Sequence, residues 1–246
     1  MAATEPLPPL TFLSKETIKR LLKDVKEIIA NPLVSHGIHY KHHDTNLLNG
    51  HALIIGPRDT PYAGGYYLFE FIFPVNYPHS PPEVIYYTND GETRFNPNLY
   101  KCGKVCLSVL NTWRGDQWTG CQTISSILLS LCTVFNEAPL LNEPGITRSH
   151  FDFKKYNDII HYKNMEVAIV GMPYNFKLNA YFTDLQSIIR ADFIENYERN
   201  LATIQKNKEG GSRVITTGIY TMAIVIDYDK LEKKIRQVYD KMKNEK

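Results

Sequence analysis

Residues 51–87 read HALIIGPRDTPYAGGYYLFEFIFPVNYPHSPPEVIYY, and the fold turns on this stretch. His51 to Ile55, Tyr66 to Phe73 and Val84 to Tyr87 are short segments of aromatic and β-branched residues, each bounded by Gly, Pro, Asn or Asp. Their side-chain period is two, the signature of strands. The region from Ile38 to Tyr87 is therefore expected to form an antiparallel meander. Gly56-Pro57 and Gly64-Gly65 bracket its longest connection. No helix start or Lys-Ser/Thr pair follows the two glycines, so they serve turn geometry and a P-loop is excluded.

Working outward, the period changes to that of helices. Ser14 can cap a helix running to about Ala30, with Ile18, Leu21, Leu22, Val25, Ile28 and Ile29 forming the expected buried stripe. Asn31-Pro32 ends it. Its other face, rich in Lys and Glu, is a solvated surface or a docking surface. Downstream, Thr123 to about Asn136 carries Ile124, Ile127, Leu128, Leu131, Val134 and Phe135 on one face. Helical patterns return at about Phe153 to Val170 and Ala180 to Lys206. A Gly210-Gly211 break follows, then a strand-like Tyr220 to Ile226 and a last amphipathic helix from Asp229 to Lys243. The order of helix, sheet, long loop and helices is that of an α+β protein.

The 246 residues are enough for one well-cored domain with an appendage, and 43% of them are hydrophobic, which excludes intrinsic disorder. A formal net charge of +2 lacks the footprint needed to neutralise several phosphates, so no nucleic-acid partner is expected. Met1 to Leu13 has an acidic Glu5, three prolines and no basic start, and no stretch approaches 18 uninterrupted apolar residues. No targeting segment and no membrane association are expected. The cysteines at 102, 106, 121 and 132 match neither the paired spacing of a zinc site nor a disulfide scaffold. A reducing compartment, cytoplasm or nucleus, follows, with no metal and no bound cofactor expected. Cys132, inside an apolar helical run, is expected to behave as a small hydrophobe.

From Thr88 to Thr123 the chain has little periodicity, and so long an irregular segment inside a compact domain is usually functional. Within it, RFNPNLYKCGKVCLSVL (94–110) sets Asn98 eight residues before Cys106. Pro97 fixes one turn and Gly103 permits another, and the apolar residues after the cysteine can pin the loop to a core. Cys106 is then expected at a rigid, partly exposed position. A hydrolytic cysteine enzyme needs a His to form thiolate and activate water, and none lies between His79 and His150; either of these could approach in space, so a cysteine protease stays open but has no local support. A carrier thiol has the opposite requirement, since it must hold an acyl group, keep it from water and release it to an amine. Asn98 suits that task as an amide donor to the oxyanion formed on attack, an effect of roughly 3 kcal/mol per donor.

IIGPRDTPYAGGYYLFEFIFP, NYPHSPPEV, RFNPNLY followed by GKVCLSVL, Trp118 and TISSILLSL, in this order, resemble the catalytic core of the ubiquitin-conjugating enzymes. The resemblance implies a core over 13–150, made of an N-terminal helix, a four-stranded antiparallel meander and following helices. A flexible segment over 1–12 and a mainly helical extension over 151–246 complete the expected organisation. It also implies that Cys106 takes ubiquitin from an activating enzyme as a thioester, with Asn98 as the asparagine of the His-Pro-Asn motif. ATP is used by that partner. A ubiquitin ligase of unknown type and protein substrates are the remaining implied partners.

The chain departs from the family pattern at several places. Asn96 replaces the His of the motif, so the packing supplied by that imidazole is expected to be lost. Eleven residues separate Cys106 from Trp118, so TWRGD (112–116) forms an enlarged loop near the thiol. His79 and Thr119-Gly120-Cys121 stand where ligase-binding members carry other residues. The acidic gate that helps deprotonate the acceptor lysine aligns with Asn142, with Glu143 as a substitute. The enlarged loop, the NEPG turn (142–145) and the long C-terminal tail are most similar to the Z-type members. That likeness implies charging by the alternative activating enzyme and, as in some members, use of a second ubiquitin-like modifier. A catalytically impaired variant that acts as a binding scaffold is the alternative reading.

Overall fold

The computed structural model describes residues 13–245; the expected flexible segment 1–12 lies outside them. Helix α1 spans Lys15–Ala30, and the Ser14 side chain accepts a hydrogen bond from the Thr17 backbone N–H at 3.0 Å, closing one of the orphan donors of the first turn. Its buried face is Thr17, Leu21, Asp24 and Ile28. The expected stripe is thus rotated: Leu22 and Ile29 are 44% and 68% exposed. Asp24 accounts for the rotation, because its buried carboxylate accepts from Arg20 Nε at 3.0 Å and from the Tyr77 hydroxyl at 2.5 Å. The same Arg20 guanidinium donates to the carbonyls of Gly120 and Gln122, tying α1 to the loop after Trp118.

The meander follows as strands β1 (Ile38–His42), β2 (Asn49–Ile55), β3 (Tyr66–Ile72) and β4 (Glu83–Tyr86), antiparallel in the order β1-β2-β3-β4. At the long β2–β3 connection, a Cβ on Gly56 would lie 1.8 Å from the Tyr62 carbonyl oxygen, so only glycine fits there. The pairing sets Ala52 opposite Phe69 and Leu53 opposite Leu68. One face of the sheet carries Tyr67, Phe69 and Phe71; Tyr67 and Phe69 pack with Phe135, just after α2 (Ile124–Thr133), and Phe71 packs with Phe73. The alternate face carries Tyr66, Leu68 and Glu70, and these are buried as well. A two-sided burial in β3 needs a second layer, and the C-terminal extension supplies it.

Helix α2 is shorter than its apolar pattern suggests, because the Val134 carbonyl accepts from the Asn96 and Asn142 side chains and not from a further helical turn. The expected helix over 153–170 is α3 (Phe153–Lys163) followed by a wider π-type turn over Asn164–Ile169. Asn164 causes that change: its side chain accepts from the Tyr67 hydroxyl at 2.6 Å and donates to the Ala63 carbonyl at 3.1 Å. The expected helix over 180–206 is three: α4 (Phe176–Tyr181), α5 (Thr183–Glu195) and α6 (Tyr197–Lys206). Phe182, at the first break, is buried against the rings of His51 and Tyr87 on the sheet. After Gly211, strands β5 (Arg213–Thr217) and β6 (Met222–Ile226) form a hairpin, and α7 (Tyr228–Asn244) packs against α6. The fold is α+β, an N-terminal helix and four-stranded antiparallel sheet with further helices and a mainly helical extension.

Candidate functional site

The irregular segment after β4 is held by its own backbone and by buried amides. Tyr86 N–H donates to the Gly103 carbonyl at 2.7 Å, and Gly103, at φ 91°, makes the turn that returns the chain toward Val105. Within the loop, Leu99 pairs with Val105, and both are buried. Asn98 and Cys106 then face each other. The Cys106 N–H donates to the Asn98 carbonyl at 2.9 Å, and the Asn98 side-chain amide donates to the Cys106 carbonyl at 2.7 Å. The eight-residue spacing in the sequence thus closes into a reciprocal pair.

Asn96 is fully buried beneath this pair. Its side-chain oxygen accepts from the Asn98 N–H at 2.9 Å, and its amide donates to the Tyr62 hydroxyl at 2.9 Å and to the Val134 carbonyl at 2.7 Å. Where the imidazole is missing, the Asn96 amide braces the loop in another way, satisfying four neighbours at once. Asn142 adds to the brace: its amide donates to the Asn96 oxygen at 3.3 Å and to the Val134 carbonyl at 3.2 Å, while its own oxygen accepts from Asn136 at 2.8 Å. Both ends of the Asn142 side chain are occupied.

Glu143 stands apart from this amide network. Its carboxylate accepts a 2.5 Å hydrogen bond from the hydroxyl of Tyr220, in the turn between β5 and β6. Burial first, then the hydrogen bond to Glu143 and that carboxylate's charge, push the Tyr220 phenol well above the ordinary tyrosine range. It is a donor throughout the neutral range. Arg94 joins the two halves: its guanidinium lies 3.3 Å from the Tyr100 ring centroid and 5.0 Å from that of Tyr220, and it donates to the carbonyls of Asn96 and Pro97. Sequence reading missed Arg94 and Tyr220. Arg94 was readable only as a neighbour of the motif, and Tyr220 is 77 residues from Glu143 with no spacing to connect them.

Cys106 is 2% exposed, so the expected partial exposure of the thiol is overturned. The enlarged loop follows directly. Thr112 Oγ1 donates to the Val105 carbonyl at 3.0 Å and accepts from the Leu107 N–H at 2.9 Å, while Asn111, at φ 57°, accepts from the Trp118 N–H. A cleft of about 600 Å³ opens between this loop and the NEPG turn, lined by Asn111, Thr112, Trp113, Arg114, Gln117 and Pro144. The other cysteines differ in setting. Cys102 and Cys121 are exposed, and burial pushes the Cys132 thiol up. Among the described residues, no group of three His, Cys, Asp or Glu side chains is placed to hold a metal ion, and no helix is long and apolar enough to cross a membrane.

The family model described as "Ubiquitin-conjugating enzyme" matches residues 20–166. A Danio rerio protein named "Ubiquitin-conjugating enzyme E2 Z" is 43% identical over 162 residues, which cover 65% of this chain and 49% of that protein. The Xenopus tropicalis protein of the same name is 38% identical over 189 residues, covering 75% and 59% respectively. The Homo sapiens protein of that name is 41% identical over 160 residues, covering 64% and 45%. The chain spans about half the length of the curated relatives it matches. The matched span runs from α1 through the Asn98–Cys106 loop and α2 into the turn after α3, and by it this chain belongs to the ubiquitin-conjugating enzyme family.

Proposed function

We propose that Cys106 accepts the C-terminal acyl group of ubiquitin as a thioester from an activating enzyme, and that the chain passes it to a lysine amine of a protein substrate. The observation that carries this reading is the reciprocal hydrogen-bonded pair of Asn98 and Cys106, which fixes an amide donor beside a thiol with no histidine base in the loop. Discharge runs as follows. The lysine nitrogen attacks the thioester carbon, the C–N bond forms, and the carbonyl oxygen takes up negative charge. One N–H of the Asn98 amide is held by the Cys106 carbonyl, and the other donates to that oxyanion. The C–S bond then breaks, Cys106 leaves as thiolate, and the proton shed by the amine passes to a carboxylate.

A free lysine with a pKa of about 10.4 is almost wholly protonated at neutral pH, so a proton acceptor is needed. Asn142 is engaged at both ends in bracing the loop, so the neighbouring Glu143 is taken as the proton acceptor in this reading, with Asp116 of the enlarged loop as the next carboxylate to test. This chemistry calls for no bound cofactor, since ATP is consumed by the activating enzyme. The partners follow from the family and the Z-type likeness: ubiquitin, an activating enzyme of the alternative type, a second ubiquitin-like modifier, a ligase and protein substrates. The cysteine pattern supports a cytoplasmic or nuclear location.

The burial of Cys106 favours a second reading, a conjugating-enzyme variant impaired in loading that acts as a binding scaffold. In the first reading the Cys106 thiol becomes accessible when the activating enzyme engages the chain. Incubation with ubiquitin, ATP and each activating enzyme, run on a gel with and without reductant, separates the two. An active carrier gives a reducible adduct that Cys106→Ala abolishes and Cys106→Ser converts to a stable oxyester or loses. Absence of any adduct on the parent chain supports the scaffold, and a reducible adduct surviving in Cys106→Ala assigns the thioester to another cysteine such as Cys102.

A further inference from the structure

The extension reaches the candidate site through Tyr156 of α3 and through the turn of the β5–β6 hairpin, and the turn is the part that meets Glu143. Two independent anchors hold that turn. Asp152, at the N-terminal end of α3, is buried, and its carboxylate accepts from the backbone N–H groups of Gly218 and Ile219 at 2.9 and 3.0 Å. On the other side, the Met222 sulfur accepts from the Arg94 N–H at 3.4 Å. Between the anchors, Tyr220 and Thr221 adopt φ of 58° and 47° in succession. Left-handed backbone at two consecutive non-glycine residues persists only where surrounding contacts over-determine it, and such strain gathers at functional sites.

What the strained turn delivers is one phenol with two attachments. The Tyr220 hydroxyl donates to Glu143, and its ring lies 5.0 Å from the Arg94 guanidinium, which also sits 3.3 Å from the Tyr100 ring centroid. Arg94 in turn holds the carbonyls of Asn96 and Pro97, the two residues just before Asn98, and its own carbonyl accepts from the Tyr156 hydroxyl at 2.7 Å. We infer that Tyr220 is a positioning residue for discharge: its hydroxyl orients the Glu143 carboxylate and its ring pins Arg94 against the Asn96-Pro97-Asn98 turn, so that the extension completes the transfer site. This rests on the reading of Cys106 as the thioester carrier and of Glu143 as the proton acceptor. The two attachments predict separable losses. Tyr220→Phe keeps the ring over Arg94 and removes only the hydroxyl, whereas Tyr220→Ala removes both.

The test is single-turnover discharge to free lysine from chains preloaded at Cys106, with loading and thermal unfolding followed on each variant. Loss of one charge-assisted hydrogen bond that positions a reacting group predicts that Tyr220→Phe discharges about tenfold more slowly at saturating lysine. The lysine concentration at half-maximal rate should stay unchanged, because the hydroxyl acts through Glu143 and not on the amine. In a Glu143→Gln background, Tyr220→Phe should then cost nothing further, a dependence that a merely structural tyrosine would not show. Tyr220→Ala should fall about tenfold below Tyr220→Phe, by release of Arg94. A loaded Tyr220→Phe chain that discharges at the parent rate overturns the inference and leaves the thioester reading intact. Equal fold-losses that multiply in the Tyr220→Phe/Glu143→Gln double variant overturn it too. Failure of the parent chain to load overturns the reading beneath it as well.

Discussion

The face of the sheet that meets α2 and the face that meets the extension are made by alternate residues of the same strands, yet the two are covered by different chemistry. On the α2 side, Tyr67 and Tyr62 pack on Phe135 with ring centroids 4.5 and 5.0 Å apart, and Phe69 and Phe71 extend the same layer. On the extension side, Glu70 is buried at the centre of a polar knot: its carboxylate accepts from Asn49 at 3.1 Å, from the Tyr181 hydroxyl at 2.5 Å and from the Tyr87 hydroxyl at 2.8 Å. Beside it, His51 lies under the Tyr181 and Phe182 rings, and the Tyr66 hydroxyl donates to Asp192 of α5. An aromatic layer gives stability without direction, whereas a buried carboxylate demands a partner at each lone pair. The first face therefore builds the fold, and the second selects where the extension docks.

If that division holds, the largest loss should come from the α2 side. Phe135→Ala removes the ring on which Tyr62, Tyr67 and Phe69 converge, and truncation of a buried Phe costs about 3–5 kcal/mol. The variant should unfold at lower denaturant as a whole, with amide exchange rising in both the sheet and the extension. A loss below about 1 kcal/mol would mean that the aromatic layer closes over the gap and that the faces are energetically alike.

Glu70→Ala attacks the other face and should cost less. Three donors lose their acceptor, and a buried donor left unpaired costs about 1–3 kcal/mol, though Tyr181 is exposed enough to regain water. The distinguishing readout is location. Exchange should quicken in α4 and α5 before it changes in β2 and β3. Uniform acceleration across both layers would break the comparison, because it would make Glu70 part of the common core.

The same contrast explains what was legible in the sequence. The meander could be read because aromatic and β-branched residues cluster between turn-formers, and the Asn98–Cys106 spacing could be read because both partners lie in one loop. The covered outer face could not. Tyr66, Leu68 and Glu70 alternate with the aromatic layer as a solvent-facing set would, and Tyr66 and Glu70 meet partners on the extension more than a hundred positions away. The helices over 153–206 were read as two, since apolar spacing does not report that Asn164 is drawn to Tyr67 or that Phe182 is drawn to the sheet. Strand β5 escaped notice because Val214 and Thr216 are exposed, which leaves little alternation to detect. Tyr220 escaped for the same reason as the outer face, being joined to its partners only through tertiary contact.

The smallest expected effect is a pH dependence that belongs to the extension side alone. His51 is desolvated on that face, and burial lowers its pKa below the ordinary histidine value, opposed by the charges of Asp184 and Glu70 and aided by that of His43. Its Nδ1 lies 3.9 Å from the Asp184 carboxylate, and the rings of Tyr181 and Phe182 close over it. A folded-state pKa below the unfolded one means that the unfolded chain takes up the proton first as acid is added. The stability contributed by neutral His51 is therefore whole above about pH 6.5 and declines as the pH falls from there toward the lowered folded value. His39, His42 and His161 are lowered by burial as well, so the parent should lose stability in this window through several groups. His51→Gln removes one of them without adding charge. Denaturant midpoints measured between pH 7.5 and 5 should fall less steeply in this variant than in the parent, and exchange in α4 and α5 should lose part of its acid sensitivity while β3 keeps its own. An identical slope in the two chains would mean that His51 is protonated as readily in the fold as outside it, and that the polar face is not kept dry by the extension.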